Sequence, residues 1–189
     1  MKLGPLAAKQ ASARHTTARE LTNLRTAVGS RRPETYLHPG QSHVAVNPVV
    51  LKMILGSCAG VFLFNPILAI SGATHFMLPR HEAGQPSPRY GDVAIAGLLE
   101  KFLALGSKPQ NIQAKVFGGA SMLVALRDVQ GAHFGHIGQR NVETALDILA
   151  QASIPVVEKN VFGNRGRKVS MVSDTGQIAH EFVSASDGN

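Results

Sequence analysis

A chain of 189 residues with 44% hydrophobic content is long enough to bury one sizeable core, so one main domain is expected. Its single cysteine excludes an intramolecular disulfide, and the lack of a long apolar run or leader pattern points away from export and membrane insertion and toward a reduced cytoplasm. The formal charge of +7 is concentrated in Lys2, Lys9, Arg14, Arg19, Arg25, Arg31 and Arg32, and with only 2 tyrosines and no tryptophan to stack on bases, no nucleic-acid partner is expected.

In chain order, residues 1–35 read as a basic, solvated extension, with a short candidate helix over 17–26 and an acidic partner or anionic membrane surface as its docking alternative. Residues 36–189 form the folded domain. The apolar stretch 44–54 predicts a strand after Pro48, and 60–64 with 67–71 predict a hairpin turning at Asn65-Pro66. Asp92 is placed as the cap of a helix whose Ile95, Leu98, Leu99, Phe102 and Leu103 share a face and which ends at Gly106. Strands are expected at 114–117 and 122–126. Asn141 is placed as the cap of a second helix carrying Val142, Ala145, Leu146 and Leu149 on one face. Strands at 156–161, 168–172 and 177–183 complete the reading. Because strands outnumber helices and neighbouring ones lie close in sequence, the expected class is α/β of the α+β type, with mainly antiparallel pairing.

The chemistry centres on Cys58, in Leu55-Gly56-Ser57-Cys58-Ala59-Gly60, and on His75, in Ala73-Thr74-His75-Phe76-Met77-Leu78-Pro79. A hairpin turning at Asn65-Pro66 brings Cys58 opposite His75, and a register slip of two leaves them diagonal neighbours. Two readings of the cysteine follow from spacing alone: a nucleophile with a histidine base, or a small buried hydrophobe.

The wording of both segments, read with Tyr36-Leu37-His38-Pro39-Gly40-Gln41, Tyr90-Gly91-Asp92, Phe117-Gly118-Gly119-Ala120-Ser121-Met122, Ile137-Gly138-Gln139-Arg140-Asn141 and Gly163-Asn164-Arg165-Gly166-Arg167, resembles the chemoreceptor glutamine deamidase family, CheD. The likeness spans about residues 36–173, and several short motifs in family order are far more specific than any one alone. It implies a layered β-sandwich flanked by helices, related to deamidase toxins, and a cytoplasmic enzyme without cofactor or metal. The implied activity is hydrolysis of glutamine side chains on methyl-accepting chemotaxis receptors to glutamate, with glutamyl methyl ester hydrolysis by the same machinery. Cys58 would be the nucleophile, His75 the base, and backbone N–H groups around Gly56 and Ser57 the oxyanion donors. Arg140 and Arg165 fall at family motif positions and are candidate substrate-side contacts.

One position departs from the pattern. The family's third catalytic residue is a threonine six residues before the cysteine, and Lys52 stands there. Its side chain only donates, so either the backbone carbonyl at 52 orients His75 or activity is weakened. The alternative function is accordingly a non-catalytic adaptor that binds receptors or a CheC-like phosphatase. His133 and His136 have a chelating spacing but no carboxylate or thiol nearby, so they read as a surface loop. His38 reads as a structural turn residue and His180 as an ordinary strand residue.

Overall fold

Strands β4 (Ala59–Asn65) and β5 (Ile70–Phe76) are buried along almost their whole length. A strand covered on both faces has no solvent side to mark with polar residues, which is why alternation is weak here. In the computed structural model, which describes residues 32–121 and 136–183, these two strands lie inside a five-stranded sheet. Its order is β2 (Ser42–Ala45), β5, β4, β6 (Gln113–Gly118), β7 (Val156–Val161). A second, four-stranded sheet has the order β1 (Glu34–Tyr36), β3 (Val50–Leu55), β8 (Arg167–Val172), β9 (Ile178–Phe182).

The molecule is a three-layer α/β fold. Between the sheets, Leu51, Met53 and Leu55 of β3 and Val169 and Met171 of β8 pack against Phe62, Ala73 and Phe117. On the far side of the five-stranded sheet, Val61, Leu63, Phe76 and Val116 meet two helices, α1 (Gly91–Ala104) through Ile95, Leu98 and Phe102, and α2 (Ile137–Gln151) through Val142, Ala145 and Leu149. The split follows strand parity, since successive side chains point to opposite faces. Pairing is antiparallel except for β1 with β3 and β6 with β7.

Several expectations are corrected. The strand expected after Pro48 is β3, as read, while Val44 and Ala45 ahead of it belong to β2 and pair with β5. The β4–β5 turn takes in residues 66–69 because Asn65 Oδ1 accepts both the Ile67 and Leu68 amides, at 3.0 and 3.2 Å, and Ala69 adopts φ 51°. That longer turn shifts the register, so Gly60 and not Cys58 stands opposite His75. Asp92 does not cap α1: Tyr90 holds that position, and the Asp92 carboxylate accepts the His81 and Val93 amides from inside the first turn. Asn141 does not cap α2 either, which begins earlier and buries Asn141. Residues 32–35, assigned to the extension, join the fold: the Pro33 carbonyl accepts the Val50 amide, and Arg32 forms a two-pronged ion pair with Asp174. The candidate helix at 17–26, the strand at 122–126 and His133 lie outside the described residues.

Candidate active site

Cys58 closes a three-residue bend, Gly56 to Cys58, that joins β3 in one sheet to β4 in the other. All three carbonyls of the bend are held by protein donors. Gly56 O accepts the Ala120 amide at 2.8 Å, Ser57 O the Asn141 side-chain amide at 3.0 Å, and Cys58 O the Gly119 amide at 2.8 Å. Such close packing demands glycine on the facing loop: a Cβ at Gly118, which has φ +109°, would lie 2.2 Å from Cys58 O. The thiol is half-buried against the inter-sheet core, and burial pushes its pKa up, while the Cys58 N–H beside its own sulfur pulls the other way.

His75 lies in β5 on the inter-sheet face and is 2% exposed. Gly60, its direct partner across the strands, has no side chain, and Cys58 is two positions further along the same face, a diagonal neighbour. The His75 Nδ1 lies 3.0 Å from the Leu37 carbonyl. A carbonyl only accepts, so Nδ1 carries the proton and the lone pair of the neutral ring is on Nε2. Nε2 is buried and has no hydrogen-bond partner among the described residues, the Cys58 sulfur included. Burial lowers the His75 pKa, the Leu37 bond raises it and nearby His38 lowers it further. The ring therefore favours its neutral form and leaves a free acceptor on the same face as the thiol.

No sequence signature points to Leu37, because a backbone acceptor is common to every residue type. Its position is fixed from both sides, since its own amide donates to the Lys52 carbonyl at 2.8 Å and its side chain is buried. Lys52 thus supports His75 only at one remove. Its side chain points to the outer face of the four-stranded sheet, where Nζ meets Glu34 at 2.5 Å. The structure does not place the Lys52 carbonyl on His75.

Arg140 is on the exposed side of α2, 3.9 Å from Glu82. Arg165 is engaged elsewhere, donating to the Val183 carbonyl and lying over the Phe182 ring. A third arginine, Arg167, is the buried one: it is 2% exposed and donates to Asn160 Oδ1, Gly118 O and Phe162 O at 2.7, 3.0 and 2.7 Å. It braces the end of β6, and the next residue, Gly119, donates its amide to Cys58 O. Strand parity was the available signal, because Arg167 shares an inward face with Val169 and Met171. His136 is exposed at the start of α2, and His180 packs against the Phe117 ring, where burial lowers its pKa.

A family model described as CheD chemotactic sensory transduction matches residues 77–181. The Anaeromyxobacter dehalogenans protein named "probable chemoreceptor glutamine deamidase CheD 1" is 40% identical over 148 residues, 78% of this chain and 84% of that protein. This chain belongs to the CheD family. CheD relatives from Sulfurimonas denitrificans, 36% identical over 78% of this chain and 93% of their protein, and from Geobacter sulfurreducens, 35% identical over 81% and 92%, bear the same kind of name. Cys58 and His75 precede the stretch matched by the CheD family model, whereas Gly118, Gly119, Asn141 and Arg167, which hold the Cys58 bend, lie within it. Among solved structures, the Bacillus licheniformis hypothetical protein YfiH matches over 65% of this chain and 51% of its own, at a TM-score of 0.44 and 15% identity, a distant likeness.

Proposed function

We propose that this chain hydrolyses glutamine side chains of chemoreceptors to glutamates, with Cys58 as nucleophile and His75 as general base. The substrate class comes from the CheD relatives, which are named chemoreceptor glutamine deamidases. The observation that carries the assignment of residues is the neutral, buried imidazole of His75, its Nδ1 occupied by Leu37 and its Nε2 open, diagonal to the only cysteine.

A carboxamide is a poor electrophile, so attack requires a thiolate and the departing nitrogen requires a proton. With the thiol pKa raised and the imidazole pKa lowered, the resting pair is neutral, and proton transfer from sulfur to Nε2 accompanies attack on the glutamine carbonyl. The imidazolium then gives that proton to the nitrogen as the C–N bond breaks, releasing ammonia and leaving a glutamyl thioester. Water, deprotonated by the same Nε2, adds to the thioester. The C–S bond breaks, the thiol recovers its proton and glutamate is the product. The missing Sγ–Nε2 hydrogen bond must form for this to occur, and such bonds are often long before substrate binds. Backbone N–H groups of the bend that contains Gly56 and Ser57 stabilise the oxyanion, a contribution of about 10²–10³ in rate per donor.

Glutamyl methyl esters would react by the same steps, methanol leaving in place of ammonia. Arg140, exposed one residue before Asn141 and only loosely paired with Glu82 at 3.9 Å, is a candidate receptor contact, while Arg165 is engaged by Val183 and Phe182. Among the described residues no helix is long and apolar enough to cross a membrane. The adaptor alternative depends on lysine replacing a required threonine, and with Leu37 accepting from His75 no side-chain acceptor at 52 is needed. Ammonia release from a glutamine-bearing receptor fragment, compared with Cys58→Ala, separates enzyme from adaptor: Cys58-dependent release supports the enzyme, and binding without release supports the adaptor.

A further inference from the structure

Asn141 is fully buried in the first half of α2, where a polar side chain interrupts an otherwise apolar stripe of Gly138, Val142, Ala145 and Leu149. Its Nδ2 donates to two carbonyls at 3.0 Å each, Ser57 O and Met77 O. One of these residues immediately precedes the thiol, and the other follows His75 by one intervening residue. Its Oδ1 is buried with no partner among the described residues, so the side chain pays a desolvation cost that helix packing alone does not require. The helix reaches this depth because Gly138 lies against Gly119, where a Cβ would come within 2.8 Å of the Gly119 carbonyl group.

The geometry of the peptide unit supplies the consequence. The Ser57–Cys58 bond is trans, so the Ser57 C=O and the Cys58 N–H lie in one plane and point in opposite directions. Holding the carbonyl on Asn141 therefore fixes where the amide points. We infer that Asn141 is a positioning residue: through Ser57 it aims the Cys58 N–H at the oxyanion formed when the thiol attacks, and through Met77 it holds the strand bearing His75 against the same bend. In the resting structure that N–H lies beside the Cys58 sulfur, within reach of the carbon that the sulfur would attack. A donated hydrogen bond to Ser57 O also polarises the shared peptide and strengthens its N–H as a donor. This inference rests on the Cys58–His75 reading above.

The test uses the full chain, a receptor fragment bearing glutamine, and the variants Asn141→Ala, Asn141→Asp and Cys58→Ala. Asp keeps the volume of Asn but as a carboxylate cannot donate to two carbonyls. Two rates are read: ammonia release, and alkylation of Cys58 by iodoacetamide, a displacement that forms no oxyanion. For both Asn141 variants the expected result is a fall in kcat of about 10²-fold with KM within about threefold. Alkylation should change far less than kcat, within about tenfold of wild type, because it forms no oxyanion and only the hold of the Cys58 N–H on its own sulfur is altered. The inference is overturned if a folded Asn141→Ala protein keeps kcat within about threefold, or if alkylation falls in parallel with kcat, which would mark general loss of packing. Should Asn141→Ala fail to fold, Asn141→Ser, which retains one donor, is read by the same two criteria. If wild type and Cys58→Ala release ammonia equally, the Cys58–His75 reading itself falls and this inference with it. If only the Asn141 variants behave like wild type, the reading stands and the inference alone fails.

Discussion

His75 Nδ1 donates to the carbonyl of Leu37 at 3.0 Å, and Leu37 in turn is held by its amide on the Lys52 carbonyl at 2.8 Å. The His75 ring is thus oriented by backbone that directly follows β1, with no side chain serving as acceptor. A backbone acceptor survives substitution at its own position, which shapes the first expectation.

Lys52→Ala should change kcat/KM by less than about tenfold, under roughly 1.4 kcal/mol, because the carbonyl that holds Leu37 remains and only the surface pair with Glu34 is lost. Lys52→Thr should give no gain beyond that same range. Steady-state ammonia release for the three proteins on one receptor fragment checks this, and a rise of about 10²-fold in Lys52→Thr would show that a side-chain hydroxyl is required.

The pH dependence has a defined sign. His75 works as a base only when neutral, and burial holds its pKa below the usual imidazole value of about 6.5. Activity should therefore be level through neutrality and fall only as the pH drops through that lowered value. Stability follows the same direction: the unfolded chain takes up the His75 proton at a higher pH than the folded one, so stability is lost as the pH falls below about 6.5. A pH profile of kcat/KM on the receptor fragment is the measurement, and an acid limb centred above 7 contradicts it.

Gly118→Ala places a methyl group where Cys58 O already stands, at a backbone angle that L-residues rarely adopt. Loss of about 1–3 kcal/mol of stability is expected from strain, read by urea unfolding, together with slower turnover because the Cys58 bend must move.

Arg167→Met should cost about 2–4 kcal/mol in the same urea experiment, since the Asn160, Gly118 and Phe162 acceptors lose a charged donor inside the protein. Arg167→Lys should recover little of it, because a single ammonium cannot reach three acceptors that a planar guanidinium spans.

Much of the fold was legible because local rules and burial agree. The α1 face of Ile95, Leu98 and Phe102 follows helical spacing, and Gly106 takes the left-handed position after the last turn at φ +84°. Strands β7, β8 and β9 fall within a residue or so of their predicted bounds. Register was not legible to the same degree, since a turn held by Asn65 Oδ1 differs from a tight Asn-Pro turn by side-chain bonds that spacing does not encode. The two misplaced caps share a cause. Asn141 and Asp92 are residue types that cap helices, yet one is buried under the Cys58 bend and the other anchors His81. The stripe of Asn141 with Val142 and Ala145 was a signal for burial, outweighed by a propensity. Leu37 left no signal because its contribution is a carbonyl that every residue possesses.

The most direct measurement is ammonia release, with the accompanying one-dalton mass increase, on a receptor fragment treated with wild type, Cys58→Ala and His75→Ala. Wild type should convert glutamine to glutamate, and both variants should lose turnover while keeping the wild-type circular dichroism spectrum. Retention of more than a few per cent of activity by folded Cys58→Ala would contradict a covalent thioester route, and an inactive wild type with a reduced thiol would leave receptor binding as what this chain does.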